Sequence, residues 1–197
     1  MQNSLIYKTS DEKEAIRQGE ILTSVTQFKP VPDQSSSSFE NISFRQILHP
    51  YAIVVSQDCD LDWDYTARQN QDKANKLLNS ILFCEVYIAQ EIRSDKTLNI
   101  NSADWNLVKS NRHQQYHFFE KVPSECELSQ DGLPELTVDF KKIFAIDSDF
   151  LYYQINTKRA TRRTVLISPY VQHFSNRYHE FHGRVALPAP HESEKGG

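Results

Sequence analysis

A chain of 197 residues, 39% hydrophobic and 24% charged, is long enough to bury one core without staples and too apolar for wholesale disorder. Its formal net charge of −4 excludes a basic field over the whole molecule, so any contact with RNA has to come from a local patch. Cys59, Cys84 and Cys126 make neither a disulfide framework nor a CxxC pair, the opening Met1-Gln2-Asn3-Ser4 has no signal-peptide pattern, and no apolar run approaches the roughly 20 residues of a membrane span, so a reduced, cytoplasmic chain without membrane contact is expected.

Eleven Phe and nine Tyr against one Met leave aromatic and β-branched side chains to fill the core, which predicts a mainly β domain with flanking helices over residues 1–188 and a disordered tail over 189–197. Ser10 to Gln18 opens like a short helix, with Ser10 to cap, acids in the first turn and Gly19 to close it. Glu20 to Phe28 reads as a strand stopped by Pro30 and Pro32, and the serine-rich stretch that follows predicts a mobile loop near 30–42. Tyr51 to Val55 is an unbroken apolar run rich in β-branching, the pattern of a central strand buried on both faces.

Asp64 to Asn79 reads as an inserted polar helix, Ile81 to Ile92 as a strand, Gln115 to Phe119 as another, and Leu136 to Ile146 as a further stretch of sheet after an Asp131-Gly132 turn. Ser168-Pro169 opens a C-terminal helix that ends near Gly183, with Tyr170, Phe174, Tyr178 and Phe181 along one side as a packing stripe.

Three groups of residues carry candidate chemistry. Ser56, Asp58 and Asp60, with Cys59 between them and Asp62 beyond, follow the buried strand directly. On an extended backbone the aspartates would share one face, for a hard cation or an acid–base pair, while the plainer reading is an acidic turn capping the next helix. Acidic neighbours disfavour a thiolate, so Cys59 is expected to be a small packing residue. No metal site is supported: His113 and His117 have ligand spacing only on a helix and sit in a predicted strand, and His179 and His182 lack a partner cluster. Lys158, Arg159, Arg162 and Arg163 lie within six residues, either as a phosphate-binding run beside Tyr152 and Tyr153 or as a charged turn blunting a sheet edge.

Gly19-Glu20-Ile21-Leu22, then His49-Pro50-Tyr51-Ala52-Ile53-Val54-Val55-Ser56, resembles the opening of MazF/PemK-like small barrels, in which a glycine and an acid lead the first strand and arginine-proline leads a second. Ile81 to Ile92 with Ala89-Gln90, and Lys141 to Tyr152 with Ile146-Asp147, resemble later strands of those barrels. The phrase Val55-Ser56-Gln57-Asp58-Cys59-Asp60-Leu61, with Ser168-Pro169-Tyr170 and Gly183-Arg184-Val185-Ala186-Leu187-Pro188, resembles a bacterial family marked by a serine-glutamine-x-cysteine-aspartate motif.

The resemblance implies an SH3-like, partly open barrel with an inserted helix and a C-terminal helix. It also implies altered chemistry, because His49 stands where the toxins carry an arginine that stabilises phosphorane-like charge, and Ile88 falls where they carry a hydroxyl. Three functions follow as expectations. The first is a barrel that binds a protein partner within a prokaryotic stress, toxin–antitoxin or defence system, without a cofactor. The second is an endoribonuclease using His49 with nearby acidic or basic residues. The third is a metal-dependent enzyme built on Asp58, Asp60 and Asp62. Oligomeric state is left open.

Overall fold

Seven stretches of alternating or continuous apolar residues form one antiparallel sheet within residues 6–32, 42–70 and 74–185, which the computed structural model describes. The strands are β1 (Tyr7–Thr9), β2 (Glu20–Pro32), β3 (Ile42–Val54), β4 (Ser80–Ile88), β5 (Tyr116–Phe119), β6 (Leu136–Asp147) and β7 (Thr161–Leu166), in the order β1-β7-β2-β3-β4-β6-β5. Around them lie α1 (Asp58–Asn70), α2 (Ala89–Ser94), α3 (Ser102–Lys109), α4 (Ser148–Asn156) and α5 (Tyr170–Gly183).

The sheet is open, yet its two ends meet. Tyr7 Oη donates to the carbonyl of Glu120 (2.8 Å), Thr164 Oγ1 to that of Cys126 (2.8 Å), and the Leu128 N–H to that of Arg163 (2.9 Å). These bonds tie the β1–β7 end to the segment after β5 without a strand ladder.

β3 is the middle strand and is buried on both faces over Ala52 to Val54, as its sequence predicts. Ile53 packs with Phe140, Phe174 and Phe181 under α5, whereas Ala52 and Val54 pack with Leu61, Phe83 and Leu151 under α1 and α4. Three of the four stripe aromatics of α5 belong to the first cluster: Phe174 and Phe181 are buried in it and Tyr178 packs against it. A third cluster, around Trp105, Val108 and Tyr116, seats α2 and α3 at the far end of the sheet.

At the start of β2, Arg162 Nε and Nη2 bond the two carboxylate oxygens of Glu20 at 2.6 and 3.0 Å, with both side chains buried. Its remaining donors take the carbonyls of Glu14 (2.8 Å) and Ala15 (2.9 Å). Those carbonyls are thereby removed from any i→i+4 ladder, so the helix expected over Ser10 to Gln18 does not form; that segment is a chain of turns instead. Gly19 closes it with φ +75, and a Cβ there would sit 3.1 Å from Val171 and 3.2 Å from Leu166, so both backbone and packing demand glycine.

Two further boundaries differ from expectation. β2 runs through Pro30 and Pro32, and α1 begins at Asp58, not near Asp64. The central part of the predicted loop, 33–41, and the predicted tail lie outside the described residues.

Removing one member of a buried ion pair strands the other without its counter-charge, at a cost of about 3–5 kcal/mol. Glu20→Gln is therefore expected to lower the urea unfolding midpoint strongly. Lys158→Ala, which breaks only the exposed contact to Glu12, is expected to leave it nearly unchanged. Equal midpoints for the two variants would remove the central role assigned to this pair.

Candidate functional site

β2 is flanked on both sides only from Ile21 to Thr23, and β3 only from Tyr51 to Val54. Beyond these stretches the two strands continue together as a two-stranded arm, Val25 to Pro32 paired with Ile42 to His49. The side-chain amide of Gln154 bonds both main-chain groups of Thr26, its Oε1 accepting at 2.7 Å and its Nε2 donating at 3.0 Å. Thr26 thus turns its main chain to the outer edge of β2, and by the two-residue alternation so do Phe28, Pro30 and Pro32. The prolines fit there because they have no donor to lose.

Directly opposite residues of an antiparallel pair either bond each other or both face outward. Leu48, Gln46, Phe44 and Ile42, opposite those four, therefore present their N–H and C=O groups to the free edge of β3, where no described residue meets them. Phe44 is 67% exposed and Leu48 57%. On the other face Lys29 lies across from Arg45, and neither has a carboxylate partner among the described residues.

Where β3 leaves β4, a cleft of about 230 Å³ opens between Leu48, His49 and Pro50 on one side and Glu85, Tyr87 and Glu91 on the other. The His49 ring stacks on Phe144 at 3.8 Å between centroids. Its Nε2 lies 3.3 Å from Gln27 Oε1 and its Nδ1 3.6 Å from Glu85 Oε1. Glu85 Oε2 accepts a hydrogen bond from the Tyr87 hydroxyl. Across the ladder, Asp139 shares the face of Glu85 but is occupied by Gln115 Nε2 and the Lys141 N–H, both at 2.9 Å, so Glu85 and Glu91 are the carboxylates left for the cleft, and Glu85 is the one beside His49. Burial pushes His49 below its ordinary value, with Glu85 pulling it back. Burial and the bond to Glu85 push the Tyr87 hydroxyl up, which keeps it a donor. A histidine beside a carboxylate and a phenol can move protons at a bound molecule.

The other residues singled out from sequence are placed elsewhere. Ser56 Oγ accepts from the Leu82 N–H (2.9 Å), extending the ladder where β3 stops. Asp58 and Asp60 lie in the first turn of α1, where negative charge suits the helix end, and Asp58 Oδ1 accepts from the Gln18 N–H (2.7 Å). The helix overturns the shared carboxylate face expected of an extended chain, and Asp62 is taken by Arg17 at 2.7 Å. At about 3.3 Å per residue, the strand from His49 to Val55 holds His49 roughly 20 Å from this turn. Among the described residues no group of three or more His, Cys, Asp or Glu is set to hold a metal ion. Cys59 is exposed, contrary to the packing role expected for it.

The basic run also dissolves. Arg162 is buried on Glu20, and Arg163 bonds Glu127, whose carboxylate also takes the N–H groups of Ser129, Asp131 and Gly132. Lys158 and Arg159 alone of the four stay exposed; Lys158 contacts Glu12 and Arg159 stands over the Tyr153 ring. Glu85 and Tyr87 were missed in the sequence, although a lone carboxylate two places from a tyrosine in the otherwise apolar β4 was their signal.

No family model, no curated protein and no solved structure matches this chain. Among the described residues no helix is long and apolar enough to cross a membrane.

Because the folded state holds His49 below its ordinary value of 6.5, the unfolded chain takes up the proton first. The contribution of this residue to stability is whole above about pH 6.5 and falls as the pH drops below it. His49→Phe keeps a ring on Phe144 and has no proton to gain, so its urea midpoint is expected to fall less than that of the wild type between pH 6.5 and 5. Parallel profiles would contradict this account of the ring.

Proposed function

We propose that the chain is a diverged relative of MazF/PemK-like barrels that binds an extended segment of a partner protein, as a regulatory component of a prokaryotic stress, toxin–antitoxin or defence system. The observation that carries this reading is the asymmetry of the β2–β3 arm. One edge is closed by Gln154 and two prolines; the other leaves the main-chain groups of Phe44, Gln46 and Leu48 unmet, between exposed apolar side chains. An added strand would gain ladder bonds along β3 and seat side chains at alternate positions, the general mode of strand addition. Its apolar residues would cover Phe44 and Leu48, and its acidic residues would offset the Lys29–Arg45 pair, which is unfavourable while unopposed. The Gly19-Glu20 lead into β2 and the His49-Pro50 lead into the centre of β3 support the relationship to the barrels, as does the approach of the sheet's two ends.

Gln46→Pro tests this. It removes an outward N–H that β2 does not use, so the hairpin is expected to fold as before while strand addition is blocked. In crosslinked complexes from the native host, quantified by mass spectrometry, at least one protein is expected to be captured by the wild type, to be lost with Gln46→Pro and to be retained with Glu12→Ala. Identical capture by all three forms would end the proposal.

A second reading, an endoribonuclease, is favoured by one observation: His49 stands beside Glu85 in a cleft. With a mixed RNA pool, cleavage would be abolished by His49→Ala, weakened by Glu85→Gln and unaffected by Asp58→Ala. No cleavage, or cleavage that survives His49→Ala, removes it.

A further inference from the structure

Arg177 reaches from α5 to the β5 edge of the sheet and is half-buried there. Nη1 donates to Asn111 Oδ1 (3.3 Å), to the Tyr116 carbonyl (3.2 Å) and to His117 Nδ1 (3.0 Å), and Nη2 donates to the His113 carbonyl. Every one of these acceptors is neutral. No described carboxylate lies within ion-pair distance, and Glu180 acts on the guanidinium only from farther away. A guanidinium has no lone pair to offer, so His117 Nδ1 must be the acceptor and the ring proton must sit on Nε2. Asn111 fixes the same corner, its side chain taking the Phe118 N–H (2.6 Å) and giving to the Phe118 carbonyl (3.1 Å).

His117 is 2% exposed, and no described group accepts from its Nε2. Burial, and then Arg177 and His173, push its titration well below the ordinary value, which agrees with a neutral ring. A core histidine normally has both nitrogens bonded. This one instead borders a cavity of about 300 Å³ between β1, β5 and the ends of α3 and α5, with Tyr7, Phe119 and Tyr170 in the wall and Lys109, Glu120 and His173 also lining it. The volume lies at the small end of ligand pockets. Lys109 and Glu120 bring one charge of each sign to its exposed rim, and the guanidinium behind the His117 ring has no carboxylate within ion-pair distance among the described residues. A protonated Nε2 has no lone pair for a metal and is a donor for an acceptor atom.

We propose that this cavity binds the anionic oxygen of a small phosphate- or carboxylate-bearing molecule, with His117 Nε2–H as donor and Arg177 as the charge behind it. The site is independent of the β3 arm, and its ligand is a small molecule, not a partner chain.

The test is a titration of the full chain, labelled with ¹⁵N-histidine, with sodium phosphate and separately with sodium succinate, at constant ionic strength set by sodium chloride. Without either anion the His117 spectrum is expected to show the Nε2–H tautomer. One of the two anions is expected to shift that signal saturably while chloride does not, and which one saturates identifies the ligand class. His117→Phe should weaken binding by about ten- to a hundredfold, the loss of a hydrogen bond to a charged group, whereas His117→Gln, with an amide donor near the Nε2 position, should retain most of it. An Nδ1–H tautomer, no saturable shift with either anion, or equal affinity in His117→Phe would overturn the proposal. If His117→Phe does not fold, the tautomer and the saturation read at the wild-type ring decide the matter in the same way.

Discussion

The support given to β3 by its neighbours ends abruptly at Tyr51, and most of what is distinctive in this molecule follows from that. Over Tyr51 to Val54 the strand has a neighbour on each side and a packed layer on each face. Nine residues before Tyr51, from Ile42 to Pro50, have only β2 for company. A two-stranded ribbon is marginal in water by itself. The arm is therefore held by contacts from outside the ladder: Gln154 on the Thr26 main chain, the Phe28 ring against Phe150, and His49 stacked on Phe144. The cleft with His49 and Glu85 lies at the point of divergence, because a strand that leaves its neighbour opens a gap between them.

A second constraint is that buried carboxylates consume the arginines. Glu20 takes Arg162, Glu127 takes Arg163, and Asp64 takes Arg68 at 2.8 Å with added bonds from the Leu78 N–H (2.8 Å) and the Tyr152 hydroxyl (3.0 Å). Each carboxylate is satisfied on more than one lone pair, the condition under which a buried charge is tolerable. Lys29 and Arg45 on the arm and Arg177 behind His117 are among the described cations that have no such partner. The edge proposed to take a strand and the cavity proposed to take an anion each lie beside such a cation.

Elements fixed by local pattern were legible in the sequence, and those fixed by distant partners were not. Tyr51 to Val55 announces itself because a strand buried on both faces is apolar at every position, and the aromatic stripe of α5 because one buried helix face recurs every three or four residues. The turns before Gly19 could not be anticipated, since the groups that deny them a helix belong to Arg162, more than 140 residues away. Pro30 and Pro32 signal a strand end unless Gln154 is known to fix which edge they face. The run 158–163 shows four cations within six residues, but only the fold says that two of them point inward. His113 and His117 have ligand spacing only on a helix and lie in a predicted strand, and this criterion for a metal does not detect a ring whose role depends on an arginine on another element.

The charge on the arm also bears on which strand the open edge accepts. An exposed apolar edge is a template for self-association, and proteins discourage this with charge and proline. β2 uses proline. If two copies paired through β3, they would bring two Lys29–Arg45 pairs into one ribbon with no acid between them, and like charges in neighbouring strands are destabilising. A segment carrying Asp or Glu at alternate positions meets the same edge with the opposite sign. In the proposed binding mode the two cations would disfavour pairing of the chain with itself and favour an acidic segment, and discrimination built on both has a wider margin than either alone.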